Sequence, residues 1–294
     1  MAVSLIVATR DRAQQLHELL VSLRAQTRQD FEVIIVDQSS AAVRALNAQL
    51  VGRFGQELRL RHVIDSGSGL SRARNIGLKF RCGRLLAFPD DDCWYAADIL
   101  ERVTEFFRTH PRHAILSGQY SEPGEVNPAF PRDHAELTTD NVLVRSSSVG
   151  IFLDSAKLPA DSLCFDEHLG AGADWPAAEE SDLLLRLLSY REIRGHYDPG
   201  LVVFHKVERR KFHSAAEFVR IRAAYWYVIG KNYRPGASEW RLVKGLVRCL
   251  FSRQPFGPSA SFQALVQGYR HGRMARRAQA SVCGEQGSGG GAHP

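Results

Sequence analysis

Short apolar runs and helix-spaced leucines take turns along the first third of the chain. Val3-Ser-Leu-Ile-Val-Ala8 is an apolar run closed by polar Thr9-Arg10-Asp11-Arg12, after which Leu16, Leu19, Leu20 and Leu23 recur at helical spacing. That pattern predicts strand, loop, helix. Phe31-Glu-Val-Ile-Ile-Val-Asp37 is a second buried strand ending in an acid, and Val43, Leu46 and Leu50 supply a second helix. Leu58–Ile64 alternates as a third strand. A Gly-Ser loop follows, then a helix opening near Leu70 and a fourth strand over Arg84–Phe88. Strands alternating with helices predict an α/β domain, its mainly parallel sheet covered by helices on both faces.

Beyond this the pattern loosens. Ser117–Asp140 is rich in Pro, Gly and charge and reads as a long connection or hairpin excursion. Glu179–Tyr190 carries Leu183, Leu184, Leu187 and Leu188 at helical spacing, and Gly200–Phe204 is strand-like. Ser214–Gly272 reads as basic amphipathic helices broken at Pro235 and across Gln254–Pro258. Gly284–Pro294, with its Gly-Ser-Gly-Gly-Gly run, is expected to be disordered. The expected division is a catalytic domain over 1–210, a basic helical extension over 211–283 and a tail over 284–294.

Composition narrows the class. Of 294 residues, 44% are hydrophobic, 24% charged and 9% aromatic, which excludes a mainly disordered, collagen-like or coiled-coil chain. The five cysteines are scattered without a Cys-x-x-Cys pair, unlike a disulfide framework or zinc ribbon, and a reducing compartment follows as the simpler expectation. The N-terminus lacks the basic region of a signal peptide, and no run approaches the ~20 apolar residues of a membrane span. A cytoplasmic protein is expected.

Charge is unevenly placed. The 38 basic and 32 acidic side chains give 38 − 32 = +6, yet Lys206–Arg277 holds 16 basic and 3 acidic residues, or +13, leaving −7 elsewhere. Phe218, Ile221, Tyr225, Leu242, Leu246 and Leu250 stand beside Arg and Lys there, which suits an anionic membrane surface. A solvated basic face packed on the catalytic domain explains the same pattern. Nucleic acid is not an expected partner, because no RNP, KH or zinc signature accompanies the charge.

In sheets of this kind, ligands gather beyond the carboxyl ends of the strands, so the residues after each strand carry the candidate chemistry. Phe88-Pro-Asp90-Asp91-Asp92-Cys-Trp94 is the strongest signal. Three consecutive carboxylates repel one another unless a cation sits among them, and Mg²⁺ or Mn²⁺ takes carboxylate oxygens together with substrate phosphates. A solvated turn capping the following helix is the plainer alternative. Gly67-Ser-Gly-Leu-Ser-Arg72-Ala-Arg74-Asn-Ile-Gly77 opens a helix whose N–H groups and arginines could meet an anion, or whose small residues only allow close packing. Glu179, Glu180 and Asp182 open an amphipathic helix, where acids are favoured by the dipole alone. His205 closes the Val-Val-Phe-His run.

Taken in order, Val3–Arg12, Phe31–Asp37, Gly69–Gly77, Phe88–Trp94, Phe165–Gly170, Glu179–Arg186 and Val202–His205 resemble the GT-A glycosyltransferases of family 2 over about residues 3–210. The resemblance implies a Rossmann-like GT-A sheet and direct displacement at the anomeric carbon of a nucleotide-diphosphate sugar, with inversion. It places Thr9, Arg10, Asp11, Asp37, Arg74, Asp90 and Asp91 at the nucleotide, with Asp37 accepting from the base. It makes Asp92, Asp90 and His205 the ligands of Mn²⁺ or Mg²⁺, and Glu180 the base, with Glu179 as its competitor. The implied acceptor is a sugar or lipid-linked hydroxyl in cell-surface polysaccharide or glycolipid assembly; the basic Lys206–Arg277 region would let a cytoplasmic enzyme lie peripherally on the inner membrane face. A non-catalytic sugar-nucleotide-binding protein of the same fold is the alternative. Three departures stand out: Val-Asp-Gln-Ser-Ser replaces the common Val-Asp-Asp-Gly-Ser, Cys93 replaces a fourth acid, and Glu179-Glu180 replaces a Glu-Asp pair.

Overall fold

The leading elements follow the hydrophobic pattern closely. In the computed structural model, which describes residues 2–207, 212–251 and 256–287, they are β1 (Val3–Thr9), α1 (Ala13–Arg24), β2 (Phe31–Asp37), α2 (Ala41–Phe54), β3 (Leu60–Ile64), α3 (Leu70–Leu78) and β4 (Leu85–Ala87). Leu16, Leu19, Leu20 and Leu23 of α1 are all buried, as their spacing predicts, and join Val3, Leu5, Val7, Val33 and Ile35 in one core. Gly77 lets α3 lie against β1. A Cβ there would come within 2.4 Å of the Ile6 methyl.

The chain continues through β5 (Cys93–Trp94), α4 (Ile99–Thr109), β6 (His113–Ser121), β7 (Ala135–Leu137), β8 (Ile151–Asp154), α5 (Glu179–Leu187) and β9 (Arg194–His205). Among the described residues, nine strands form one sheet in the order β3-β2-β1-β4-β8-β6-β9-β5, with β7 also on β9. The pairs β1–β2, β2–β3, β1–β4 and β6–β9 are parallel. Antiparallel β8 joins β4 to β6, while β5 and β7 run antiparallel to β9. Chain order reverses between β1 and β4. The crevice beyond the carboxyl ends of those two strands is therefore a topological switch point.

Two expectations need correction here. Ser117–Asp140 is not all connection: its first residues complete β6 and Ala135–Leu137 forms β7, because both edges of β9 offer free backbone groups there. For the same reason β9 begins at Arg194 rather than Gly200, despite Pro199 and two glycines that read as a loop.

The described residues divide into two compact units, one up to Ala173 and from Glu179 through β9, the other of Asp174–Ala178 with the C-terminal helices. Those helices are α6 (Ala215–Asn232), α7 (Ala237–Phe251) and α8 (Gly257–Gly287). Ser214 caps α6 by accepting from the Glu217 N–H, leaving the reading of a break at Pro235 in place between α6 and α7. Gly284–Gly287, expected to open a disordered tail, belong instead to α8; residues 288–294 lie outside the described residues.

The apolar residues of this unit also sort differently from their sequence order. Phe218 is fully buried with Val219, Ala223, Ala260 and Ala264, and Trp175 stacks on Tyr227 at 5.3 Å. Ile221, Tyr225, Leu242 and Leu246 are half-buried, and the Leu250 side chain lies outside the described residues. The outward apolar residues of α7 are Trp240, Val243 and Val247, exposed by 58%, 48% and 49%. Their i, i+3, i+7 spacing makes them one stripe. No described helix is long and apolar enough to cross a membrane.

Candidate active site

Strand ends build the site. Thr9 closes β1 opposite Asp37 at the close of β2, and Ala8 bridges to Asp90 just past β4. At the far side, β5 pairs with β9 so that Cys93 stands opposite His205. The register of two strand pairs thus gathers Thr9, Asp90, Asp91, Asp92 and His205 at one end of the sheet.

The three consecutive aspartates divide by orientation. Asp91 is buried, accepting from Thr9 Oγ1 at 2.8 Å and from Arg12 Nη1 at 3.2 Å. Burial dominates its titration and pushes it up to about 6. Asp92 is more open. It accepts from Arg12 Nη1 at 2.8 Å and lies 3.0 Å from His205 Nε2. Burial works to raise the Asp92 carboxyl, but His205 and Arg12 outweigh it and hold it below the usual carboxylate range. Burial likewise works to lower His205, and Asp92 reverses that effect. Asp90 takes Arg74 Nη2 at 2.9 Å and Ser148 Oγ at 3.4 Å.

Asp90, Asp92 and His205 each offer a ligand atom within 4.8 Å of the others. Two carboxylates and an imidazole form a donor set suited to a divalent cation such as Mn²⁺. The cationic partners the carboxylates now hold, Arg12 and Arg74, occupy the place of positive charge that such an ion would share. The residues fit a metal.

Arg74 carries the site across the sheet. It is buried on α3, donating Nη2 to Asp90 and Nη1 to Glu179 Oε1, both at 2.9 Å, while its guanidinium lies 5.3 Å from the Phe165 ring centre. Asn75, the next residue, both donates to the Phe165 carbonyl at 2.9 Å and accepts from its N–H at 2.7 Å, which fixes the Phe165–Gly170 segment. Gly170 adopts φ +97, a conformation that favours glycine, with Ser71 and Glu179 close by.

Glu179 and Glu180 are both buried but differently held. Glu179 is paired with Arg74. Glu180 has Ser181 Oγ at 3.0 Å, and burial, reinforced by the neighbouring Glu179 charge, raises its carboxyl to about 7. A carboxyl poised near neutrality can exchange a proton at working pH.

Asp37 lies at its expected strand end but is fully buried. It accepts from the Ser39 N–H at 2.9 Å and Asn47 Nδ2 at 3.0 Å, and lies 2.9 Å from His62 Nε2. Burial favours its neutral form, yet these donors hold the carboxyl below its ordinary value. Next to it, Gln38 reaches Asp65 at 2.9 Å, and Arg72 donates to both Asp65 oxygens at 3.0 Å. Arg10 is exposed. Asp11 adopts φ +55 and uses Oδ1 to accept from the Ser40 N–H and hydroxyl, so it ties the β1 and β2 loops together.

Several of these groups escaped the sequence. Arg12 sat in a loop already marked as polar, and only its salt bridges single it out from Arg10. Ser148, Asn47 and His62 lie in segments without any motif, and only the fold brings them in.

Comparison with known proteins agrees with this geometry. The sequence model described as Glycosyl transferase family 2 matches residues 4–163. EpsH of Bacillus subtilis (strain 168), named as a glycosyltransferase, is 32% identical over 102 residues, covering 35% of this chain and 29% of its own length. An uncharacterized glycosyltransferase of Haemophilus influenzae is 27% identical over 190 residues, covering 63% and 61%. The chain thus spans less than two thirds of the relatives it matches. Among solved structures, S. aureus TarS 1-349 in complex with UDP-GlcNAc is similar at TM-score 0.61 and 17% identity, over 95% of this chain and 92% of that one. A mannosyltransferase from Pyrobaculum calidifontis in complex with GDP-Man and Mn²⁺ is similar at TM-score 0.57 and 18% identity, over 96% and 84%.

Proposed function

The chain belongs to glycosyl transferase family 2, and from that membership we propose that it moves a sugar from a nucleotide-diphosphate sugar to an acceptor hydroxyl, with inversion at the anomeric carbon. The observation that carries this reading is that Arg74 holds Asp90 on one side and Glu179 on the other, with Asp92 and His205 grouped beside Asp90 and Glu180 next to Glu179. A diphosphate-handling end at the aspartates and a proton-accepting end at the glutamates, joined through Arg74, would together serve such a transfer.

In the proposed reaction the acceptor oxygen attacks the anomeric carbon as the bond to the nucleoside diphosphate breaks. Glu180 takes the hydroxyl proton, a role typically worth about 10²–10⁴-fold. Glu179, neutralised by Arg74, keeps that guanidinium aimed at Asp90. Asp92, with Asp90 and His205, would hold Mn²⁺ or Mg²⁺, whose charge would stabilise the departing diphosphate. Thr9, Arg10, Asp11 and Asp37 line the proposed nucleotide pocket. For Asp37 the role is split between accepting from the base and holding the Ser39 loop through its three present partners.

The acceptor is proposed to be a sugar or lipid-linked hydroxyl in cell-surface polysaccharide or glycolipid assembly, on the inner face of an anionic membrane. What supports a membrane partner is the α7 stripe of Trp240, Val243 and Val247, with the Lys244 ammonium 5.0 Å from the Trp240 ring centre. An aromatic and aliphatic face edged by cations suits the lipid interface.

Incubation with a set of nucleotide sugars and Mn²⁺, followed by assay of nucleoside diphosphate release and NMR of the new linkage, tests the reading. Release with an inverted linkage is expected. Binding of nucleotide sugars without hydrolysis or transfer from any of them would instead favour the non-catalytic alternative.

A further inference from the structure

A second cluster of metal-ligating side chains lies away from the aspartates, where β6 and β7 flank the start of β9. We propose that His113, Glu136 and His196 form a binding site for a divalent transition metal of the Zn²⁺ class, separate from the oxygen-rich catalytic centre. Their ligand atoms all lie within 4.8 Å of one another.

Strand register builds this cluster. Glu136 on β7 and His196 on β9 are direct cross-strand partners, so their side chains share one face. Leu116 on β6 also pairs with His196. A regular register would then place His113, three residues before Leu116, on the opposite face. It does not, because β6 carries one extra residue: His113 pairs with Arg194 and Ile115 with Gly195, leaving Ala114 as a bulge. Arg194 and His196 are two apart on β9 and share a face, so the bulge turns His113 towards His196. Bulges commonly re-aim a side chain in this way.

The imidazoles are packed, not free. Phe106 on α4 stacks with His196 at 5.5 Å between ring centres and meets His113 edge-on at 5.6 Å. His113 is only 9% exposed; one ring nitrogen, Nε2, lies 2.9 Å from Glu136 Oε1, while the other, Nδ1, is buried with no hydrogen-bond partner. A further imidazole stands at the rim, with His134 Nδ1 3.4 Å from His196 Nε2.

The donor set decides the metal class. Imidazole nitrogen with a single carboxylate favours Zn²⁺, Co²⁺ or Ni²⁺ over Mg²⁺ and Mn²⁺. Tetrahedral Zn²⁺, with bonds of ~2.0–2.2 Å, needs ligand atoms roughly 3.3 Å apart, so closing the cluster from at most 4.8 Å asks for shifts of up to about 1.5 Å. Coordination also displaces the His113 to Glu136 hydrogen bond and releases protons.

The test uses the full chain and Co²⁺ as a visible probe, with Zn²⁺ as competitor. The wild type should take up Co²⁺ with absorption bands of nitrogen coordination, bleached by Zn²⁺, and the Asp92→Asn variant, with the aspartate cluster disabled, should still take up one. Glu136→Gln and His196→Ala should weaken that uptake by roughly 10-fold or more. The Glu136 side chain is 59% exposed, so its substitution leaves the fold in place. The proposal is overturned if the wild type shows no such bands, or if Glu136→Gln and His196→Ala bind Co²⁺ as tightly as the wild type. Loss of the bands in Asp92→Asn alone would also overturn it, by assigning the ion to the catalytic aspartates.

Discussion

Arg74 and Glu179 meet at 2.9 Å across 105 residues of sequence, and both are buried. Because Arg74 also holds Asp90, this one guanidinium joins the strand-end aspartates to the helix that carries the proposed base. Removing one partner of a buried ion pair leaves an uncompensated charge, at a cost of about 3–5 kcal/mol. Arg74→Ala is therefore expected to lower unfolding free energy by that order and to abolish transfer, as measured by denaturant titration and donor turnover. A loss below ~1 kcal/mol would make the pairing incidental.

Glu180→Gln should lower kcat by two decades or more with donor affinity nearly unchanged, since shape is kept and only the proton acceptor is lost. Glu179→Gln serves as its comparison and should act chiefly through Arg74, weakening stability and donor binding. The reverse ranking of kcat losses would make Glu179 the base.

Glu180 also sets a pH dependence. Its folded-state carboxyl is raised to about 7 by burial and by Glu179, so the ionised base accumulates as pH rises through neutrality and kcat should rise with it. Stability runs the other way. A raised carboxyl contributes stability that is present below its unfolded value and lost as pH passes the folded one. Glu180→Gln should thus gain stability relative to wild type at pH 8 and not at pH 4, with a flat rate profile between. A wild-type kcat independent of pH from 5.5 to 8.5 would contradict the assignment.

Asp37→Ala should cost stability as well as nucleotide affinity. It leaves Asn47 and the Ser39 N–H without their buried acceptor, worth about 1–3 kcal/mol. Discrimination among bases should relax if Asp37 also meets the base edge. Unchanged binding of every nucleotide, together with lost stability, would limit Asp37 to holding its loop.

Trp240→Glu should reduce binding to anionic vesicles without changing turnover of a soluble acceptor. Attraction of the basic unit adds roughly 1 kcal/mol per basic residue near the surface and decays over a Debye length, so co-sedimentation should fall steeply with salt. Binding to neutral vesicles that ignores salt would contradict the electrostatic part of this proposal.

The parallel half of the fold was legible because its two central strands, Val3–Thr9 and Phe31–Asp37, are almost wholly buried on both faces and end in a polar residue. The second half was not. β9 begins in a Pro- and Gly-containing stretch whose strand character comes from pairing on both edges, and Phe218 looked like a surface residue until α8 covered it. At the site, carboxylates after a strand announced themselves. Arg12, Ser148 and the bulge at Ala114 did not, because each acquires meaning only from a partner distant in sequence.

Asp90, Asp92 and His205 are proposed to bind a nucleoside diphosphate together with a divalent cation. Thermal unfolding of the wild type and Asp92→Asn with UDP, dTDP, GDP and CDP, each with Mn²⁺ and with chelator, tests it most directly, since a ligand bound only by the folded state raises the midpoint. At least one nucleotide should raise the wild-type midpoint in Mn²⁺ but not in chelator, and Asp92→Asn should unfold normally yet lose that rise. No shift with any nucleotide in Mn²⁺, or the same shift in Asp92→Asn, would contradict it.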